Sequence, residues 1–319
     1  MKISIAMATY NGAKYIKEQL ESLVQQTRLP DEVIVNDDCS TDDTINILEK
    51  IKKTAPFPVK IYSNEKNIGF VKNFGLAIER CRGDVIFLSD QDDFWFPNRI
   101  DYIYRYFEKN PSALVIVNDA EITTEDLTPT GYTKFGQKKA IGVSNKKKFI
   151  TGCCTAFKAD LIPIICPIPF NKYPHDAWIH SIGELLSGRM LTEKPLLYFR
   201  RHQTNTSNPL ASRPEKVSIL QFLSSKNRGN PYYWLEERLY SYELFWERLN
   251  NKSSLRLSKE ELGAVKSRVE GDRKAVSGRL AVLSAPFPYR IILATKFYMI
   301  GGYNIFSGSK SFIKDCFFS

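Results

Sequence analysis

The chain has 319 residues, 43% hydrophobic and 25% charged, the balance of a globular fold with room for one large domain and an extension. Its 45 Lys/Arg exceed 35 Asp/Glu for a net charge of +10, and residues 206–319 hold 18 basic against 10 acidic side chains, so the excess sits in the last third. No run of about 18 apolar residues argues for a transmembrane helix; six cysteines without a C-x-x-C pair, and no secretory pattern ahead of the first strand, lead us to expect a reduced, cytoplasmic setting.

Lys2–Thr9 reads as a first strand and Tyr10-Asn11-Gly12 as a turn. Over Ala13–Gln26, Tyr15, Ile16, Leu20, Leu23 and Val24 recur at helical spacing. Glu32–Asn36 is a second strand ending in Asp37-Asp38-Cys39-Ser40-Thr41, where Ser40 or Thr41 is placed to cap a helix over 42–53. Val59–Tyr62 is a third strand, Asn67–Gly69 a loop and 70–81 a helix. Val85–Leu88, an unbroken apolar run after Gly83-Asp84, is a buried fourth strand. A helix over 98–109 and a fifth strand at Ala113–Asn118 follow. This alternation predicts a parallel sheet with right-handed crossovers.

Three strand ends carry polar clusters: Thr9-Tyr10-Asn11, Asp37-Asp38 and Asp90–Asp93. A doubly wound sheet brings such ends to one edge, where these folds bind ligands. The stretch Ser89–Arg99 (SDQDDFWFPNR) is the most informative. Two acids one residue apart cannot both enter a core without a cation. The economical reading is a divalent metal held by Asp92, with Asp90, against a diphosphate. A bare D-x-D also fits an acidic loop capping the helix that starts near Pro97.

Beyond residue 120 the pattern loosens. Thr123–Lys148 is polar and resists assignment. Phe149–Phe157 (FITGCCTAF) is a strand or buried turn; its Gly152 suits close approach to a ligand or backbone, or plain core packing. Cys153-Cys154 reads as buried apolar filler rather than reactive thiol. Residues 175–187 have helical spacing, and Pro195–Phe199 is a short strand leading to Arg200-Arg201-His202. Residues 206–280 are helical in composition. The final 40 residues hold nine aromatics, four basic residues and one acid. There Ile291–Ile300, interrupted by Lys296, is too short to span a bilayer but suits a membrane interface, or packing back onto the main domain.

Taken together, Ala8-Thr9-Tyr10-Asn11-Gly12, Asn36-Asp37-Asp38-Cys39-Ser40, Asn67-Ile68-Gly69 with Lys72-Asn73, and Ser89-Asp90-Gln91-Asp92-Asp93 closely resemble, in order and spacing, the family 2 glycosyltransferases. The resemblance covers roughly residues 1–205. Ile150-Thr151-Gly152-Cys153, His175-Asp176-Ala177-Trp178 and Arg200-Arg201-His202, with the D-Q-D-D-x-W form, look most like the bacterial rhamnosyltransferase-type branch, which builds surface polysaccharides, typically from dTDP-rhamnose.

The resemblance implies a GT-A fold over 1–205, a Rossmann-like, mostly parallel central sheet flanked by helices, then a helical, basic, aromatic-rich extension over 206–319. It implies inverting transfer from a dTDP- or UDP-linked sugar to a glycan or lipid-linked acceptor, with Mg²⁺ or Mn²⁺. Thr9 and Tyr10 would lie at the base, and Asp38 would accept the imide N–H of uracil or thymine. Asn67, Gly69 and Lys72 belong to the donor-binding set, Lys72 toward the phosphates. Asp90 would contact the ribose or the metal, and Asp92 would coordinate the metal. His202 would complete its shell or touch the diphosphate, or merely hydrogen-bond a loop. Asp176 takes the place of the base that deprotonates the acceptor; a helix N-cap role is compatible with this. Many members have Glu-Asp where this chain has His175-Asp176, which leaves His175 without an implied role. Trp95 and Trp178 suit either sugar stacking or core, and His180 suits structure.

The basic aromatic tail, 281–319, suggests a peripheral membrane contact. A nucleotidyltransferase would need a glycine-rich basic phosphate loop, which Thr9–Ala13 lacks. A non-catalytic nucleotide-sugar or glycan-binding protein of the same fold is the main rival; intact Asp38, Asp92 and Asp176 argue against decayed chemistry. No nucleic-acid motif accompanies the basic segment, so no nucleic-acid partner is expected.

Overall fold

Apolar runs flanked by polar turns become the strands that organise the first half of the chain. The computed structural model describes residues 1–140, 151–169, 173–203, 205, 215, 231–251 and 255–317. Four strands come first: β1 (Ile3–Thr9), β2 (Glu32–Asp37), β3 (Val59–Ser63) and β4 (Val85–Ser89). They pair in parallel in the order β3-β2-β1-β4, with Ala6 beside both Ile34 and Leu88. β1, β2 and β4 are buried along almost their whole length, as sheet covered on both faces must be. The crossovers are α1 (Ile16–Val24), α2 (Thr44–Lys52) and α3 (Phe70–Arg80).

The chain winds outward from β1 to β3 and then returns to the other side of β1 as β4. That reversal makes a topological switch point between β1 and β4, and the crevice outside their carboxyl ends is where such sheets take ligands.

Past β4 the sheet is mixed rather than purely parallel. β5 (Phe94–Trp95) precedes α4 (Arg99–Lys109), β6 (Val115–Thr123) and β7 (Pro129–Thr133). Then come α5 (Lys134–Ala140), β8 (Thr155–Lys158), α6 (Ile162–Ile165), α7 (His175–Leu185) and β9 (Arg189–Arg200). β8 runs antiparallel between β4 and β6, β6 and β9 are parallel, and β5 pairs antiparallel with β9 and β7 with β6. The mostly parallel sheet expected is found, with β5, β7 and β8 as its antiparallel members.

Several local expectations are corrected. β6 continues five residues past Asn118, and β9 starts six residues before Pro195. The β6–β9 register slips around Asp119. Such bulges break the two-residue alternation by which strands are read. Neither Ser40 nor Thr41 caps α2. Ser40 Oγ donates to Asp37 Oδ1 (2.6 Å) and accepts from the Asn11 amide, while the Thr41 amide donates to Asn11 Oδ1. Val24, counted on the apolar stripe of α1, is 40% exposed. Phe149 and Ile150, and residues 206–230 of the helical extension apart from Glu215, lie outside the described residues.

The chain forms two compact units: Met1–Lys138 with Phe149–Lys216, and Lys139–Lys148 with Val217–Ser319. The described helices of the second are α8 (Pro231–Asn251), α9 (Lys259–Ser284), α10 (Tyr289–Met299) and α11 (Ser309–Phe317). α9 opens on a capping box: Ser258 Oγ accepts from the Glu261 amide, and Glu261 Oε2 accepts from the Ser258 amide. No described helix is long and apolar enough to cross a membrane.

Candidate active site

The carboxyl ends of β1, β2 and β4 are tied together by short polar links. The Asp38 amide donates to Thr9 O at 2.8 Å, and Thr9 Oγ1 donates to Asp37 Oδ1 at 2.7 Å. Asn36 donates to Asn64 and Asn73, and Asn73 donates back to Asn36 O, which fixes α3 against β2. Asp38 is 1% exposed. Its Oδ1 accepts from the Ile68 amide (2.8 Å) and Asn64 Nδ2 (2.9 Å), and its Oδ2 from the Gly69 amide (2.8 Å). A carboxylate holding two backbone amides fixes the 64–69 loop in place. Gly69 stands at φ 86°, a conformation that side chains disfavour, and it begins α3. Asn67 is exposed and accepts from the Gly69 amide, while Lys72 is exposed on the first turn of α3.

At the switch point a residue passed over in the sequence holds the turn. Gln91 Oε1 accepts from the Tyr10 amide (2.9 Å), and its Nε2 donates to Tyr10 O (3.0 Å). The Gln91 side chain lies where a Cβ on Gly12 would stand, so a larger residue there would push the Gln91 amide off the Tyr10 backbone. Tyr10 is thereby presented with 46% of its surface exposed. The middle residue of D-Q-D thus clips the β1 turn to the β4 acids.

The acids follow at once. Asp92 Oδ2 lies 2.8 Å from His202 Nε2 and 3.3 Å from Asn205 Nδ2. The His202 ring packs on Tyr15 with centroids 4.5 Å apart. Arg200, the last residue of β9, donates to Asp92 O (2.9 Å) and Glu125 O (2.7 Å) and pairs with Glu18. These contacts bring the end of β9 back to the rim of β4.

Asp90, Asp93 and the Cys153 thiol form a second cluster, their ligand-type atoms all within 4.8 Å of one another. Burial, then the neighbouring Asp92 charge and further off Asp176, raise the Asp90 carboxyl to about 7, with Lys134 and Arg99 acting against them. Asp90, Asp92 and Asp176 therefore share one electrostatic neighbourhood. Asp93 is 1% exposed, and neither carboxylate oxygen has a hydrogen-bond partner. Burial pushes its carboxyl well up. Beneath it Arg99, fully buried, stacks on Trp95 (3.7 Å to the ring centre) and donates Nη2 to Cys153 O. The link from Cys154 and burial push the Cys153 thiol well up, so it stays protonated and is a poor metal ligand.

Asp176 is partly buried in the first turn of α7, and its Oδ1 accepts from the Ala177 amide at 2.8 Å. His175 stacks on Phe74 with centroids 4.1 Å apart, is 5% exposed, and has neither ring nitrogen hydrogen-bonded. Burial keeps it neutral by lowering its pKa. Gly152 backs this pair: a Cβ there would stand 3.1 Å from His175 Nε2 and 3.6 Å from Asp176 Cβ. Trp95 and Trp178 are fully buried and belong to the core, so sugar stacking is set aside for both. His180 is buried with Nε2 2.8 Å from Thr155 Oγ1.

A switch-point crevice rimmed by acids, on a sheet whose first half is parallel and whose second half is mixed, defines the GT-A class of α/β fold. Residues 4–163, just over half of the chain, match the family described as Glycosyl transferase family 2, and the protein belongs to that family. It is a glycosyltransferase. The dTDP-rhamnosyl transferase RfbG of Shigella flexneri is 26% identical over 245 residues, 69% of this chain and 80% of its own. An uncharacterized glycosyltransferase of Haemophilus influenzae is 34% identical over 123 residues, 39% of this chain and 38% of its own. The crystal structure of S. aureus TarS 1–349 in complex with UDP-GlcNAc superposes with a TM-score of 0.59 at 18% identity, covering 99% of this chain and 89% of that one. At that identity the likeness speaks for the fold.

Proposed function

We propose that the protein is an inverting, metal-dependent transferase acting on a nucleotide sugar. The favoured donor is dTDP-rhamnose, with a hexose from a UDP-sugar as the alternative, and the acceptor is a bacterial cell-surface polysaccharide or lipid-linked glycan. The observation that carries the reading is the placing of Asp92 against His202 while Asp90 feels the charges of both Asp92 and Asp176. The RfbG relative supports rhamnose, and the bound UDP-GlcNAc of TarS supports a nucleotide sugar.

The residues fit a divalent metal. Asp93 keeps two buried carboxylate oxygens without partners, and burial, with the neighbouring Asp92 charge, holds Asp90 near 7. Such a surplus of negative groups suits a cation. Asp92 and Asp90 would offer hard oxygen donors suited to Mg²⁺ or Mn²⁺ and His202 a nitrogen, although among the described residues the ligand atoms that lie together are those of Asp90, Asp93 and Cys153. When bound, the ion offsets charge developing on the leaving diphosphate.

The chain's own groups do the rest. Asp38, buried and already holding the Asn64, Ile68 and Gly69 donors, shapes the base pocket through that loop rather than meeting the imide N–H itself, and Thr9 and Tyr10 border the base. Asn67, Gly69 and Lys72 complete the donor side. Asp176 takes the proton of the acceptor hydroxyl as its oxygen attacks the anomeric carbon in line with the departing phosphate. Inverting transfer needs no second, nucleophilic carboxylate.

A hydrolysis screen of dTDP-rhamnose and UDP-sugars with Mg²⁺ or Mn²⁺ tests this. Metal-dependent release of dTDP or UDP is expected. Nucleotide-sugar binding without any release, with or without acceptor glycans, would favour the non-catalytic binding protein instead.

A further inference from the structure

Helix α10 is apolar on two opposite faces. One is buried: Ala294 is inaccessible, and Phe297 packs on Tyr303 with ring centroids 4.9 Å apart. The other is open. Tyr289, Ile292, Met299 and Ile300 are 52, 51, 80 and 78% exposed, and Lys296 is exposed among them. Their spacing confines all five to an arc of about 100° on the helix.

No acid shares this stripe, since the sequence has none between Asp272 and Asp315. Asp315 is fully buried and held through both oxygens by Arg279, at 2.8 and 2.9 Å. The open face is therefore apolar with cationic charge alone.

A contiguous exposed apolar stripe marks an interaction surface. A second copy of the chain covers it poorly. In a two-fold interface the stripe would meet itself, and Lys296 would be buried with no carboxylate on the facing stripe. A lipid surface covers it well. Aliphatic side chains enter the acyl boundary, and a lysine stem lies along them with its ammonium at the phosphates.

We propose that α10 lies in the interface of an anionic bilayer, with Ile292, Met299 and Ile300 immersed, Tyr289 at headgroup level and Lys296 on lipid phosphate. This narrows a membrane contact of the whole tail to one helix face and one lipid charge. It does not rest on the donor or the metal.

The test is flotation of the full chain with phosphatidylcholine vesicles, with and without about one-third phosphatidylglycerol. Met299→Glu and Ile300→Glu are chosen because both positions are exposed and leave the core intact; circular dichroism checks this. We expect binding to the anionic vesicles, a loss of about tenfold or more with either glutamate, and roughly a fivefold loss with Lys296→Gln. Equal flotation of wild type and Ile300→Glu overturns the proposal, as does no flotation at all. A concentration-dependent dimer in sedimentation velocity, dissociated by Met299→Glu, would assign the face to a second copy and also overturn it.

Discussion

His202 Nε2 stands 2.8 Å from Asp92 Oδ2 across 110 residues of sequence, and Asn205 closes the same corner. A histidine bonded this way orients the carboxylate, and such supporting partners are typically worth roughly 10–100-fold in metal affinity or activity. His202→Ala should therefore raise the Mn²⁺ concentration needed for half-maximal turnover by about that factor. A titration of activity against metal measures it. An unchanged metal requirement would remove His202 from the site.

The Gln91 clip predicts a donor-binding defect without loss of fold. Gln91→Ala removes two hydrogen bonds from the Tyr10 backbone. Stability should fall by only about 1–2 kcal/mol. Calorimetry with dTDP and UDP should show weakened binding, because Tyr10 loses its anchor.

Gly152→Ala would place a methyl group 3.1 Å from His175 Nε2 and close to Asp176. The neighbours must shift by a few tenths of an ångström, and Asp176 with them. Turnover should drop about tenfold or more, since small displacements of a reacting group are costly. Nucleotide affinity should hold.

Metal removal should make stability depend on pH. Asp90 titrates at about 7 in the fold against an ordinary 3.8. Between those values the folded state holds a proton that the unfolded state has lost, so stability falls as pH rises through this window. With EDTA, the melting temperature should be lower at about pH 8 than at about pH 6. Mn²⁺ should restore more stability at the higher pH, where Asp90 is ionised. A melting temperature indifferent to both would contradict the crowding of acids at this rim.

Much of the first half of the fold is legible because buried parallel strands leave unbroken apolar runs, as Val85–Leu88 does. β5 is only two residues long, and β8 shares only Thr155–Phe157 with an ambiguous nine-residue stretch, so neither gives a period to read. Within β6, Asp119 looks like loop, yet it is buried because its Oδ1 accepts the Ala120 and Phe135 amides. Side-chain roles that depend on distant partners were equally hidden. Gln91 reads as a spacer between two acids, and Arg99 as an ordinary helix-start cation. Only the return of β9 shows what Arg200 holds, and only the fold sets Asp93 against Cys153. The spacing of Asp90, Asp92 and the later Asp176 could mark candidates; their shared neighbourhood is a property of the sheet's reversal at β1 and β4.

The most direct measurement compares wild type with Asp176→Asn in two assays side by side, sugar transfer and calorimetric binding of the Mn²⁺–nucleotide complex. Loss of the base should cut turnover by about 10²–10⁴-fold while affinity stays near wild type. Near-normal turnover by Asp176→Asn would contradict the proposed mechanism.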